Sequence, residues 1–106
     1  MPAPTSTKVI AAQSALNTAG VDDYTEVART HTMTVVASAG SSAGVVALEL
    51  SQDGTNWVAE SGNTVTVTTP GVQSVTIVDK VYTMARARIS TAITGGTVDV
   101  WIARAP

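Results

Sequence analysis

Residues Gly44–Glu60 read GVVALELSQDGTNWVAE, and the fold turns on how they divide. Val46, Leu48 and Leu50 alternate with Val45, Ala47 and Glu49, the period of two that a half-buried strand requires. Asp53-Gly54 then interrupts the run. An Asp-Gly pair between apolar strands signals a hairpin, because a type I′ turn needs positive φ at both central residues and these two tolerate it. The stretch is therefore strand, turn, strand. Asn56 is expected to bond the turn backbone, and Trp57 to fall on the return strand opposite Leu48 and Leu50. Three roles are open to Trp57. It can cover the hairpin flank and bury about 150–250 Å², stack on a sugar with Asn56 beside it, or meet a neighbouring subunit.

The same pattern recurs on both sides. Met33 and Val35 alternate with Thr32 and Thr34; Val65 and Val67 alternate with threonines; Val75 and Ile77 share a face. Val98, Val100 and Ile102 alternate with Asp99 and Trp101. Ser61–Asn63, Pro70-Gly71 and Gly95-Gly96 supply further turn signals. Short alternating strands with a turn about every 8–12 residues predict an all-β fold, an antiparallel β-sandwich of seven to eight strands. The core has no Phe to fill it, so it must be built from Val, Ile, Leu, Ala and Met between closely spaced sheets.

The chain begins MPAPTST, where Pro2 and Pro4 predict an extended N-terminal arm over residues 1–8, with the sandwich domain over 9–106. Residues 9–16 fit a short helix or a strand. At 106 residues there is room for one core, large enough to stand without staples. The chain has no cysteine, which excludes disulfides and thiolate metal sites. Its net charge of −2 carries no basic footprint, so no nucleic-acid partner is expected. No apolar run approaches the ~18 residues that span a bilayer, and no targeting segment is visible, so no membrane partner is expected and the protein should be soluble and made in the cytoplasm. Only 13% of residues are charged. A surface so poor in charge suits a protein that packs against neighbours, or is simply a Thr-rich β surface.

No catalytic constellation emerges. His31 starts a strand, and one histidine makes neither a metal site nor a triad. Asp22-Asp23 and the SQDGTN loop have the oxygens for calcium but not the regular ligand spacing. Gly95-Gly96 precedes no helix, so it is a hairpin turn and not a phosphate cradle. No cofactor is implied, and the protein is expected not to be an enzyme. Arg86 and Arg88 share one strand face, where they can pair with Glu49, Glu60 or Asp99, or dock an acidic partner. Trp101 lies opposite the face of Val98, Val100 and Ile102, so it points outward as an interface candidate, or lies under a loop or the N-terminal arm.

Several segments together resemble a class of small tailed-bacteriophage virion proteins. These are TKVIAAQSA near the start, VDDYTEV at Val21–Val27, SQDGTNW at Ser51–Trp57, YTMARARI at Tyr82–Ile89 and TGGTVDVW at Thr94–Trp101. The resemblance covers nearly the whole chain, although the Asp-Gly-x-x-Trp hairpin also occurs in carbohydrate-binding sandwiches. It implies a virion structural protein, foremost a capsid decoration (cement) protein on the capsid surface. The implied partners are the major capsid protein or other virion subunits, and the chain itself in a homo-oligomer such as a trimer. Pro2, Pro4, Arg86, Arg88 and Trp101 would then meet partners. The alternatives are a carbohydrate-binding module of a tail or fibre, using Trp57 and Asn56, and a tail-tube or connector subunit.

Overall fold

Alternation at a period of two resolves into eight strands in a computed structural model that describes residues 5–106, apart from the side chains of residues 5, 23–27 and 60–62. They are β1 (Thr5–Gln13), β2 (Ala19–Ala28), β3 (Thr30–Ala37), β4 (Ala43–Ser51), β5 (Trp57–Thr66), β6 (Gly71–Ile77), β7 (Tyr82–Thr94) and β8 (Val98–Ala105). They form two four-stranded sheets, ordered β1-β8-β3-β6 and β2-β7-β4-β5, with every pairing antiparallel. This is the β-sandwich expected from the sequence.

The core lies between the sheets. Met33, Val35, Val98, Val100 and Ile102 enter from the first sheet; Val46, Leu48, Leu50, Ala85, Ala87 and Ile89 enter from the second. Each group is one face of a strand, set by alternation.

Several local expectations are corrected. The Asp53-Gly54 turn is not type I′. Asp53 has no positive φ, and only Gly54 enters the left-handed region, at φ 78°. The connection is a longer loop, Gln52–Asn56, because the Asp53 side chain caps its own loop. Ser61–Asn63 is no turn either. β5 runs through it, and the register slips: two steps along β4, from Glu49 to Ala47, match five along β5, from Ala59 to Thr64. The extra residues form a bulge, which accommodates the Ser-Gly-Asn sequence without reversing the chain. Residues 9–13 are strand, paired with β8. The boundary expected after residue 8 falls inside β1, whose residues from Thr5 to Lys8 already pair with Arg104 to Trp101. Pro2 and Pro4 lie outside the described residues.

Small residues let the sheets approach. Gly20 on β2 sits under β1, and a Cβ there would run into the backbone carbonyl of Val9. Its backbone φ is ordinary, so a substitution would test packing alone. At Gly71 the case is reversed: φ is +134° and no atom lies within 4 Å of a Cβ. Gly20→Ala is therefore expected to destabilise the fold by about 3 kcal/mol through overpacking, and Gly71→Ala by about 1 kcal/mol through backbone strain. Urea unfolding of the two variants measures both. Equal losses would contradict the close approach of β1 and β2.

Candidate functional site

Outer faces of the two sheets carry the chemistry that the core leaves out. On the second sheet, Glu49 of β4 is in register with Arg86 of β7, and Arg88 is the next β7 residue on that face. Arg86 Nε lies 2.7 Å from Glu49 Oε1, and Arg88 Nε lies 3.2 Å from the same oxygen. Arg88 Nη1 donates to Asn17 Oδ1 at 3.1 Å. Glu49 and Ala47 lie on the outward side of β4, opposite to Leu48 and Leu50, yet both are buried. The arginine side chains lie over Glu49. Burial alone would raise its carboxyl; the hydrogen bonds and charges of Arg88 and Arg86 outweigh it and hold the group below the ordinary glutamate value. Arg86 also faces Trp57, its guanidinium 4.4 Å from the ring centroid.

Trp57 is paired with Ser51, so it shares the face of Glu49 and not that of Leu50. It covers Arg86, not the Leu48–Leu50 side as expected. Of the expected carboxylates, Glu49 joins the arginines. Asp99 lies in the other sheet, and the Glu60 side chain is outside the described residues.

On the first sheet, Trp101 points outward as expected, half-buried in register between Lys8 of β1 and Thr34 of β3. Lys8 Nζ lies 5.0 Å from its ring centroid and 3.4 Å from Asp99 Oδ1. Asp99 Oδ1 also accepts the Ala12 N–H at 2.8 Å, at the left-handed residue (φ 49°) where β1 shifts register. Around Trp101 the face is Thr30, Thr32, Thr34 and Val36 from β3 and Val72, Ser74 and Thr76 from β6. Lys8 and Asp99 are its only charges among the described residues, and they offset each other.

His31 is not at the surface. It points into one end of the sandwich, fully buried, with Nε2 2.9 Å from the Lys80 carbonyl and the Tyr82 ring edge-on at 6.3 Å. Burial disfavours the imidazolium and lowers its pKa, against the Lys80 and Ala28 backbone, which raises it. Nearby, Asp22 of the second sheet meets Arg104 of the first, Oδ2 to Nη1 3.0 Å. That pair ties the sheets together and commits Asp22, which the sequence offered as a calcium ligand. The Asp23 side chain is outside the described residues, among which no three His, Cys, Asp or Glu cluster to hold a metal.

In the hairpin loop, Asp53 Oδ1 accepts the Thr55 and Asn56 N–H groups at 2.8 and 2.7 Å. Asn56 Nδ2 donates to Asp53 Oδ2 at 2.7 Å, so Asn56 bonds this carboxylate and not the turn backbone as expected. These bonds hold the Asp53 carboxyl well below the usual carboxylate range. A shallow pocket of about 250 Å³ beside the loop is lined by Gln52, Asp53, Asn56, Val58 and Tyr82. Trp57 is not in that lining, so the two residues of the expected sugar platform do not converge.

Sequence reasoning missed Lys8 over Trp101 and the Asp22–Arg104 pair. Both depend on which strands are neighbours or face each other, and no local pattern encodes that.

These features define a class: an antiparallel two-sheet sandwich with ion-paired outer faces. No protein-family model matches the chain, and no curated protein sequence matches it. Solved structures share its fold. SPBc2 prophage-derived protein YomS is similar over 99% of this chain and 96% of that one, with TM-score 0.61 and 12% identity. Chitosan-binding module 1, derived from a chitosanase/glucanase of Paenibacillus sp. IK-5, is similar over 95% of this chain and 76% of that one, with TM-score 0.59 and 15% identity. A glycoside hydrolase matches 82% of this chain with only 19% of its own length, TM-score 0.55 and 17% identity. At such identities the likeness is one of fold.

Two pH effects follow. The folded pKa of Glu49 is depressed, so its stabilisation is full above the unfolded value near pH 4.3 and is lost as pH falls through the folded value. Glu49→Gln should cost about 2 kcal/mol at neutral pH, with the difference shrinking in acid. A penalty independent of pH, measured by urea unfolding from pH 7 to 3, would contradict the ion cluster. His31 is also depressed, so the unfolded state takes up its proton first and stability falls as pH drops below about 6.5. His31→Gln should flatten the stability profile between pH 7 and 5, and an unchanged slope would show that His31 is not held neutral.

Proposed function

We propose that this chain is a non-enzymatic structural protein of a tailed-phage virion, and that it decorates and stabilises the assembled head. The observation that carries the proposal is the outer face of the first sheet. It is a β surface with offsetting charges at one side and Trp101 among small threonine, serine, alanine and valine side chains. Such a face can be desolvated against another protein without leaving charges unpaired, and a partly exposed tryptophan is the residue type that most often dominates an interface. The whole-chain fold likeness to a prophage-derived protein supports the same setting.

Function follows from repetition. A single small contact is weak. Binding only the assembled shell shifts its stability by mass action, and each linked contact makes the next effectively intramolecular. Arg86 and Arg88 are engaged by Glu49 on the opposite face, so they contribute order there more than free charge for an acidic partner.

A second reading is glycan binding on a tail or fibre. The shallow pocket beside the Asp53 loop and the fold likeness to a chitosan-binding module favour it. Against it stands Trp57, one ring face taken by Arg86 and absent from the pocket lining.

Antibody against the chain, imaged by electron microscopy on particles of the phage that encodes it, separates the readings. Label spread over heads is expected. Label confined to the tail tip would favour adhesion, and unlabelled particles would overturn the virion role. Trp101→Ala should weaken attachment to undecorated heads by about thirtyfold while leaving the unfolding transition cooperative.

A further inference from the structure

We propose that β6 is a docking strand for a second copy of this chain. Two β6 strands pair antiparallel about a two-fold axis at Ser74 and join the first sheets of two molecules into one eight-stranded sheet.

A sandwich has four edge strands, and exposed edges are normally blunted by charge, proline, bulges or broken register. Three edges here carry such devices. β1 bears Lys8 and shifts register twice against β8. β2 has Asp22, Asp23 and Glu26 in its sequence and breaks register against β7. β5 contains Glu60 and the large slip against β4.

β6 has none of them. Its sequence, GVQSVTI, holds no charge and no proline. Its seven pairs with β3, from His31↔Ile77 to Ala37↔Gly71, run without a shift. Five of its first six residues are exposed, and Val72 is 67% exposed. A straight, neutral edge of high β propensity is a template for another strand.

Its composition admits a second copy of the chain. Centred on Ser74, self-pairing sets Gly71 against Ile77, Val72 against Thr76 and Gln73 against Val75, with Ser74 against its own copy. No pair opposes like charges, which would destabilise directly facing positions. The strand is thus compatible with its own copy at every position. The association is two-fold, not the trimer that the sequence resemblance implied. It is also short: specific interfaces bury about 1,200 Å² or more, so one strand pair holds weakly in dilute solution.

The test is sedimentation of the full chain up to millimolar concentration, with hydrogen exchange at high and low concentration. A reversible dimer is expected, with slowed exchange confined to β6. Ser74→Lys brings two ammonium groups together at the axis and should weaken the dimer by about tenfold. Ser74→Asp should do the same, and an equimolar mixture of the two should associate again. Both substitutions lie on an exposed outward position, and circular dichroism checks that each variant folds. A chain that stays monomeric, a Ser74→Lys protein that dimerises like the parent, or a mixture that fails to recover would each overturn the proposal. So would β6 amides protected only on phage heads, which would assign the strand to a shell subunit. The solution experiments do not depend on the virion role.

Discussion

The sandwich depends on a core without bulky rings. With no phenylalanine in the chain, two sheets must be filled by Val, Ile, Leu, Met and Ala, and alanines at 28, 85 and 87 are among the most buried residues. Small side chains fill such a space at native density only if the sheets come close. The approach is visible where β1 crosses Gly20. The ion pair between Asp22 and Arg104 closes one end of the same gap, with a charge from each sheet.

A thin core has a second consequence: both tryptophans lie outside it. An exposed indole is costly in water, and each is met by a cation, Arg86 at Trp57 and Lys8 at Trp101. The two solutions differ in kind. Arg86 is itself held by buried Glu49, so the second sheet's face is a connected network whose members fix one another. Such a network confers register and rigidity more than net stability, because desolvating three charges offsets much of their attraction. Lys8 is an exposed lysine on an edge strand with one half-buried carboxylate as partner, and surface pairs of that type contribute little. Trp101 is therefore the less constrained of the two, and beyond the Lys8–Asp99 pair its surroundings are uncharged.

The strands were legible wherever one face alone is buried. Val46, Leu48 and Leu50, then Val98, Val100 and Ile102, announce both strand and core face, because the side-chain period of a strand is two. Legibility failed where a second influence acted. β2 carries Val21, Asp22 and Asp23 in succession, and its inward Asp22 is stabilised by an arginine 82 residues away, so no alternation appears. Ser-Gly-Asn reads as a turn, yet inside β5 it forms a bulge, since pairing with β4 on either side keeps it within the strand. Glu49 reads as solvent-facing because burial from outside comes from arginines on another strand. Arg86 and Arg88 alternating on one face did foretell their pairing, a property of one strand that survives ignorance of sheet order.

Fold and function separate at this point. Proteins of the same architecture serve unrelated ends, so a sandwich shared with a prophage-derived protein and a chitosan-binding module does not choose between them. The choice falls to the faces. A glycan site needs polar groups converging beside an accessible ring. Here the Asp53 carboxylate is consumed by its own loop, and Trp57 looks onto a different surface from the pocket. Protein docking asks for less: a surface that can lose its water without orphaning a charge, and a large amphipathic side chain to anchor it. The first sheet's outer face meets both demands with residues that contribute little to the core. For that reason the physical case for assembly rests on Trp101 and the threonines around it more than on any loop.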